Sequence, residues 1–369
     1  MFMSKYLFFN SLKGFGGLEM QTLLRAKDAT DLGHESIAVV MKNTRAENFA
    51  KELNLPIEYI NIKFSYIDIF AAVRLGLIIK KQKTDIIIVG KTELLSIAIA
   101  ARNILYPKAK VILYQQMQSG LDKKDFFHNW IYSNLDGAIV INNLMRAQLV
   151  ETTVFPYEKI EIAPCGVRLS KFSPEKFDKK ELRHHFSLPE DSFIFGSVAR
   201  IEENKGQMEI LKAFIKLDSD NSCLVFCGNA DDLNYLESLK KLTIEHNIQN
   251  RVFFFDFMKE IEKLMNTFDS FVLGTHCETY GLVIIEAMAS NVPVIASNCG
   301  GVPEIITNGK NGLLFEARDI DGLSRQMKKL SDKSELNKQI VSNALSDIKK
   351  YEYNYQRDRF FNFCNQIAN

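Results

Sequence analysis

Short apolar runs rich in β-branched and aromatic residues recur along the chain, and segments of helical periodicity lie between them. From the N-terminus, KYLFF, ESIAVV, TDIIIVG, AKVILYQQ and DGAIVIN are separated by stretches such as GLEMQTLLRAKDATDLG and ELLSIAIAARNIL. Strand, helix, strand predicts a doubly wound parallel sheet. The rhythm restarts after FSPEKFDKKELRHHFSLPEDS, a charged stretch containing proline, with FIFGSVA, SCLVFCG, RVFFF, DSFVLG, VPVIAS and NGLLF as buried strands. The chain therefore reads as α/β, with Rossmann-like domains over 1–172 and 173–350. A C-terminal helix at about 351–369 is expected to pack back on the first. The 369 residues suffice for two full cores.

Ligands of such sheets bind beyond the carboxyl ends of the strands, and two such domains face to face would line a cleft. The candidate residues lie in the matching loops. After the first strand, Gly14, Gly16 and Gly17 lead into a helix whose free N–H groups could receive a phosphate, although the full GxGxxG spacing is absent and a plain glycine turn reads equally well. After FIFGSVA, Arg200 and Lys205 bring two cations to a strand-to-helix junction where Gly206 lets the chain turn, an arrangement suited to a diphosphate.

The stretch CETYGLVIIEAMA, residues 277–289, follows DSFVLG. Glu278 falls in the loop, and Glu286 falls inside an apolar helix opened by Gly281. A carboxylate there is expensive unless it accepts hydrogen bonds, and adjacent sugar hydroxyls are good donors for it; a structural acceptor role is the plainer alternative. Glu304, in CGGVPEII, suits the first turn of a helix and reads as structural.

Together, R200-x4-K205-G206, E278-x7-E286 and NVPVIASNCGGVPEIITNGKNGLLF resemble the retaining glycosyltransferases of family four, most specifically over 195–317. The resemblance implies the GT-B fold, two facing Rossmann-like domains with an interdomain cleft. It implies that Arg200 and Lys205 hold the donor diphosphate, that Glu278, Tyr280, Gly281, Leu282 and Val283 hold the transferred sugar, and that Glu286 accepts from the ribose. It also implies that Gly16 and Gly17 close over the phosphates and that Phe257 and Met258 meet the base. The activity implied is metal-independent, cofactor-free transfer from a nucleotide-sugar such as a UDP-sugar to a glycan or lipid-linked acceptor, in bacterial surface polysaccharide or lipopolysaccharide synthesis.

The chain departs from the family where a histidine is usual. It offers Gln115, Gln116 and Gln118, of which Gln116 and Gln118 are the acceptor-side candidates. Arg168 in CGVR and Asp256 are further departures. Other GT-B chemistries, an epimerase or a phosphorylase, are alternatives. An NAD-dependent oxidoreductase is another, but the acidic residue expected at the end of the second strand is missing from IAVVMKNTRAE. A catalytically dead sugar-binding subunit fits poorly with an intact Arg, Lys and Glu set.

Net charge is +1, yet residues 1–172 carry 22 Lys and Arg against 16 Asp and Glu, so the second half carries the compensating acidity. With IDIFAAVRLGLIIKKQK, this suggests an anionic membrane surface as a partner of the first half, rather than nucleic acid; an ordinary sheet-packing helix with a solvated end is the plainer alternative. Six cysteines without CxxC or zinc spacing read as buried thiols. The absence of a signal-like or spanning segment leads to the expectation of a cytoplasmic protein, peripheral at the inner face of the membrane.

Overall fold

The computed structural model describes residues 3–117 and 120–368, so Gln118 lies outside the described residues. The chain divides into two compact units, 1–165 with 354–369, and 166–353.

The first unit carries β1 (Lys5–Asn10), β2 (Glu35–Val40), β3 (Ile57–Tyr59), β4 (Ile86–Val89), β5 (Lys110–Gln115), β6 (Gly137–Val140) and β7 (Ile160–Ile162), all parallel, in the order β3-β2-β1-β4-β5-β6-β7. The all-apolar β4 is buried along its whole length, as expected of a strand with helices on both faces. Two three-residue strands, β3 (IEY) and β7 (IEI), were not foreseen, because the glutamate in the middle of each breaks the apolar run that marks the other strands.

The second unit is a six-stranded parallel sheet, with β8 (Phe193–Val198), β9 (Ser222–Cys227), β10 (Val252–Phe255), β11 (Ser270–Leu273), β12 (Val294–Ser297) and β13 (Leu313–Phe315) in the order β10-β9-β8-β11-β12-β13. In both sheets the strand order reverses once, between β1 and β4 and between β8 and β11. The loops leaving those strands therefore diverge and leave room for a ligand.

The boundary differs from the expected 172/173. Val167 N–H donates to the Tyr351 carbonyl at 2.9 Å, Tyr353 N–H donates to the Val167 carbonyl at 3.0 Å, and Lys171 pairs with Glu262 at 3.0 Å. These bonds tie 166–172 into the second unit. The charged stretch read as a restart signal is no loose linker either. It forms the helix Lys179–His185, and Arg183 is buried there on Asp269 at 2.6 Å and on the Thr267 carbonyl.

Most of the last helix, Tyr353–Ala368, belongs to the first unit. Tyr6 Oη donates to Asn365 Oδ1 at 2.9 Å, and Phe360 and Phe361 are fully buried. Phe360 packs edge-on to Tyr114 at 5.1 Å between ring centroids, with the buried Arg25 guanidinium 5.3 Å from its ring. Replacing Phe360 by Ala is expected to cost about 3–5 kcal/mol through lost burial and the cavity left behind. The measurement is the urea midpoint of the first unit, followed by the fluorescence of the single tryptophan, Trp130. An unchanged midpoint would show that the helix adds nothing to that unit's stability.

Candidate functional site

In the second unit the loops after β8 and β11 are locked together by backbone. Gly206 has φ +69°, and a Cβ there would collide with the Gly274 carbonyl oxygen, so glycine is required by both conformation and space. His276 N–H and Thr275 Oγ1 donate to the Asn204 carbonyl at 2.9 and 3.2 Å. This closure carries Lys205 onto Glu278, with Nζ 3.1 Å from Oε2 and both side chains mostly buried. The Tyr280 N–H reaches the other oxygen, Oε1, at 3.4 Å. Sequence reading gave these residues separate duties, diphosphate and sugar. The structure joins them in one ion pair.

Glu278 is held from behind as well. Its carbonyl accepts from Gly301 N–H at 2.9 Å, and Gly300, at φ +53°, has no room for a Cβ against that same oxygen. The CGG turn therefore positions Glu278, which explains why the turn needs glycine.

A cavity of about 330 Å³ lies at the carboxyl ends of β8 and β9, and neither Lys205 nor Glu278 is among its lining residues. Arg200, Phe257, Met258, Leu282, Val283 and Glu286 line it, six of the residues expected at a donor site. Ala199, Gly228, Asn229 and Ile261 line it too and were missed. The glycine ending SCLVFCG was the available signal: Gly228, at φ +153°, lies too close to the Ala199 carbonyl for any Cβ. The walls are mostly apolar, and the polar side chains are those of Arg200, Asn229 and Glu286. Arg200 itself is exposed and rests on Glu202 at 3.0 Å and Asp231 at 3.8 Å, with its carbonyl fixed by Gln207. Asp232, next to Asp231, caps the helix Leu233–Glu245.

Glu286 is half-buried in the helix Leu282–Ala289, which Gly281 opens at φ +94°. Burial pushes its carboxyl up to about 7; the Lys171 charge opposes this and the Glu262 charge adds to it. The neighbouring His276, also missed, holds Glu209 at 2.9 Å.

In the first unit, Gly16 caps the helix Gly17–Asp31 and donates its N–H to Glu19 Oε2 at 2.7 Å, while Lys91 pairs with the other Glu19 oxygen. A Cβ on Gly17 would meet open space. That helix end is thus served by its own carboxylate. Gln116 donates to the Leu18 carbonyl at 3.3 Å and lines, with Gln115, Lys91 and Glu93, a second cavity of about 250 Å³. Lys91 and Glu93 were not foreseen. Among the cysteines, Cys277 is exposed in the Glu278 loop and Cys299 is half-buried beside it, a correction to the expectation of buried thiols; the other four are buried.

Two doubly wound parallel sheets in one chain define the GT-B class of glycosyltransferase fold. Residues 178–347, which lie within the second unit, match the family model of glycosyl transferases group 1. The fold is similar, with a TM-score of 0.88 and 20% identity over 99% of this chain and 98% of the other, to a glycosyltransferase from Rickettsia africae. It is also similar to Anabaena HepE crystallised with UDP, with a TM-score of 0.85 and 17% identity over 99% and 100% of the two chains. A capsular polysaccharide biosynthesis glycosyltransferase, CapM of Staphylococcus aureus, is 27% identical over 56% of this chain and 55% of its own length. The chain spans about half the length of the curated relatives it matches.

Hydroxyl donors favour the charged form of Glu286, so binding at this site should release its proton. Affinity for a nucleotide-sugar is expected to rise up to about tenfold between about pH 6 and about pH 8, where the diphosphate diester does not titrate, and Glu286→Gln should flatten the profile. Calorimetric titration of both proteins checks this. An equal slope in the variant would take Glu286 out of ligand binding.

Proposed function

We propose that the protein transfers a sugar from a nucleotide-sugar, with UDP as the nucleotide, to a glycan or lipid-linked acceptor, with retention of anomeric configuration and without a metal. The reading places the work at the inner face of a bacterial membrane, in surface polysaccharide or lipopolysaccharide assembly; the likeness to CapM, a capsular polysaccharide biosynthesis glycosyltransferase, supports the polysaccharide part. One observation carries it: the loops leaving the strands at the reversal point of the second sheet supply both a mostly buried Lys205–Glu278 pair and a cavity lined by Arg200 and Glu286.

The chemistry follows from what each group can do. The bond from the anomeric carbon to the diphosphate breaks, and negative charge grows on the leaving oxygen. Lys205 and Arg200 stabilise that charge, and each such contribution is typically worth about 10²- to 10³-fold in rate. When Lys205 turns to the diphosphate, Glu278 is released to accept from the sugar hydroxyls, and its charge favours the oxocarbenium-like carbon. Glu286 accepts from the ribose, a part unaltered by transfer. The departing phosphate takes the acceptor's proton on the face it leaves, so no protein nucleophile is needed.

Lys205→Ala and Arg200→Ala are each expected to lose about 2–5 kcal/mol of transition-state binding. Glu278→Gln should lower kcat yet hold or tighten the nucleoside diphosphate, because it sets the Lys205 ammonium free; Glu286→Gln should weaken that product. Release of nucleoside diphosphate across a panel of nucleotide-sugars, with product binding read alongside, tests the set. Unchanged kcat/KM in Lys205→Ala would remove the diphosphate assignment.

Turnover should also survive EDTA, since cationic side chains and helix ends are proposed to serve the diphosphate. Loss of turnover with chelator, restored by Mn²⁺ or Mg²⁺, would overturn metal independence.

A further inference from the structure

The helix Ile69–Gln82 has two apolar faces. Its inner face carries the buried Ala71, Leu75 and Ile79, and Gly76 permits the close approach: a Cβ there would stand 2.7 Å from Leu105 Cδ1 on the helix Leu95–Leu105. Its outer face carries Ile69, Phe70, Val73 and Leu77, at i, i+1, i+4 and i+8, and here Phe70 is 89% exposed and Ile69 72% exposed. The preceding loop adds Phe64 and Ile67, both exposed. Such an unbroken apolar stripe facing water calls for a partner.

Charge selects the partner. Lys63 to Lys83 contains five basic residues and one acid, Asp68, whose carboxylate is already taken by the N–H groups of Ala71 and Lys63. Arg74, Lys80, Lys81 and Lys83 are exposed along the helix and at its end. A second copy of this surface would set these cations against each other across a two-fold axis. An anionic bilayer matches both features, accepting apolar side chains below a layer of negative headgroups.

The surface also leads to the polar cavity of the first unit. Tyr66, between Phe64 and Ile67, donates its N–H to the Glu93 carbonyl at 3.1 Å, and Ser96 Oγ donates to the Tyr66 carbonyl. Glu93 lines that cavity with Lys91, Gln115 and Gln116. Gln115 is buried there, and its Oε1 has no hydrogen-bond partner among the described residues. One residue therefore separates the apolar surface from a cavity with an unused acceptor.

We propose that the first unit docks on an anionic membrane through Phe64, Ile67, Phe70 and Leu77, with Arg74, Lys80 and Lys81 on the headgroups, and so presents the Glu93 cavity to an acceptor anchored in that membrane. This deepens the transfer reading above by assigning the membrane-facing surface and choosing the lipid-linked acceptor class. Docking itself needs neither donor nor turnover, so its failure would remove the membrane setting and leave sugar transfer from the nucleotide-sugar standing.

Flotation of the full chain with phosphatidylglycerol–phosphatidylcholine vesicles, against phosphatidylcholine alone, tests it without donor. Binding to the anionic vesicles at low salt is expected, and little to the neutral ones. The double substitution Phe70→Ser with Leu77→Ser should lower binding about tenfold or more at unchanged Tm, since both side chains are exposed. Lys80→Gln and Lys81→Gln should each lower it about fivefold and reduce its salt dependence. Absence of binding at low salt, or full binding by the Phe70/Leu77 variant, overturns the proposal. A dimer in sedimentation that the same variant dissolves, with no vesicle binding, would assign the face to a second copy instead.

Discussion

The Lys205–Glu278 pair is the interaction on which the second unit's site depends. A 3.1 Å ion pair with both side chains mostly buried is held by its surroundings, because desolvating two charges is worthwhile only where the geometry is fixed. That geometry comes from backbone. Gly206 against Gly274 and Gly300 against Glu278 are approaches that no Cβ permits, and they bring loops 73 residues apart in sequence into contact. The pair also keeps the site close to neutral while it is empty.

The first unit uses the same device with the roles exchanged. Its carboxylate, Glu19, follows β1, and its ammonium, Lys91, follows β4. In the second unit the ammonium follows β8 and the carboxylate follows β11. In both, the pair bridges the two loops at the reversal of strand order, the place where chain connectivity leaves a gap between diverging crossovers. The topology thus dictates where cation and carboxylate meet, while the residue types decide which loop supplies which.

Much of this was legible in sequence, and the failures have physical causes. All six strands of the second unit announce themselves as apolar runs between breakers, because buried parallel strands are apolar on both faces. β3 and β7, IEY and IEI, each carry a glutamate in the middle and show no apolar run. Arg200 and Glu286 are legible from their places just past a strand and in a helix opened by glycine, whereas Phe257, Met258, Leu282 and Val283 came with the family resemblance; the cavity gathers all six. The ion pairs were invisible, since a partner 73 residues away leaves no local trace. The outward face of Ile69–Gln82 was only half legible: a helix apolar on two sides reads as buried, and exposure is a property of the packed unit.

Glu278 and Glu286 show how far surroundings outweigh residue type. The first meets an ammonium and a backbone N–H; the second is pushed up to about 7 by burial. A carboxyl raised in the folded chain binds its proton more tightly there than in the unfolded chain. Between about 4.5 and about 7 the native state therefore holds more protons, and the slope of unfolding free energy with pH is negative over that window. Whatever stability the protonated Glu286 contributes is present below the ordinary carboxylate range and is lost as pH rises through about 7. A site selected for folding alone would place an apolar side chain at this helix position. A carboxyl at this helix position thus makes the second unit's stability fall as pH rises through about 7, which an apolar side chain would not do.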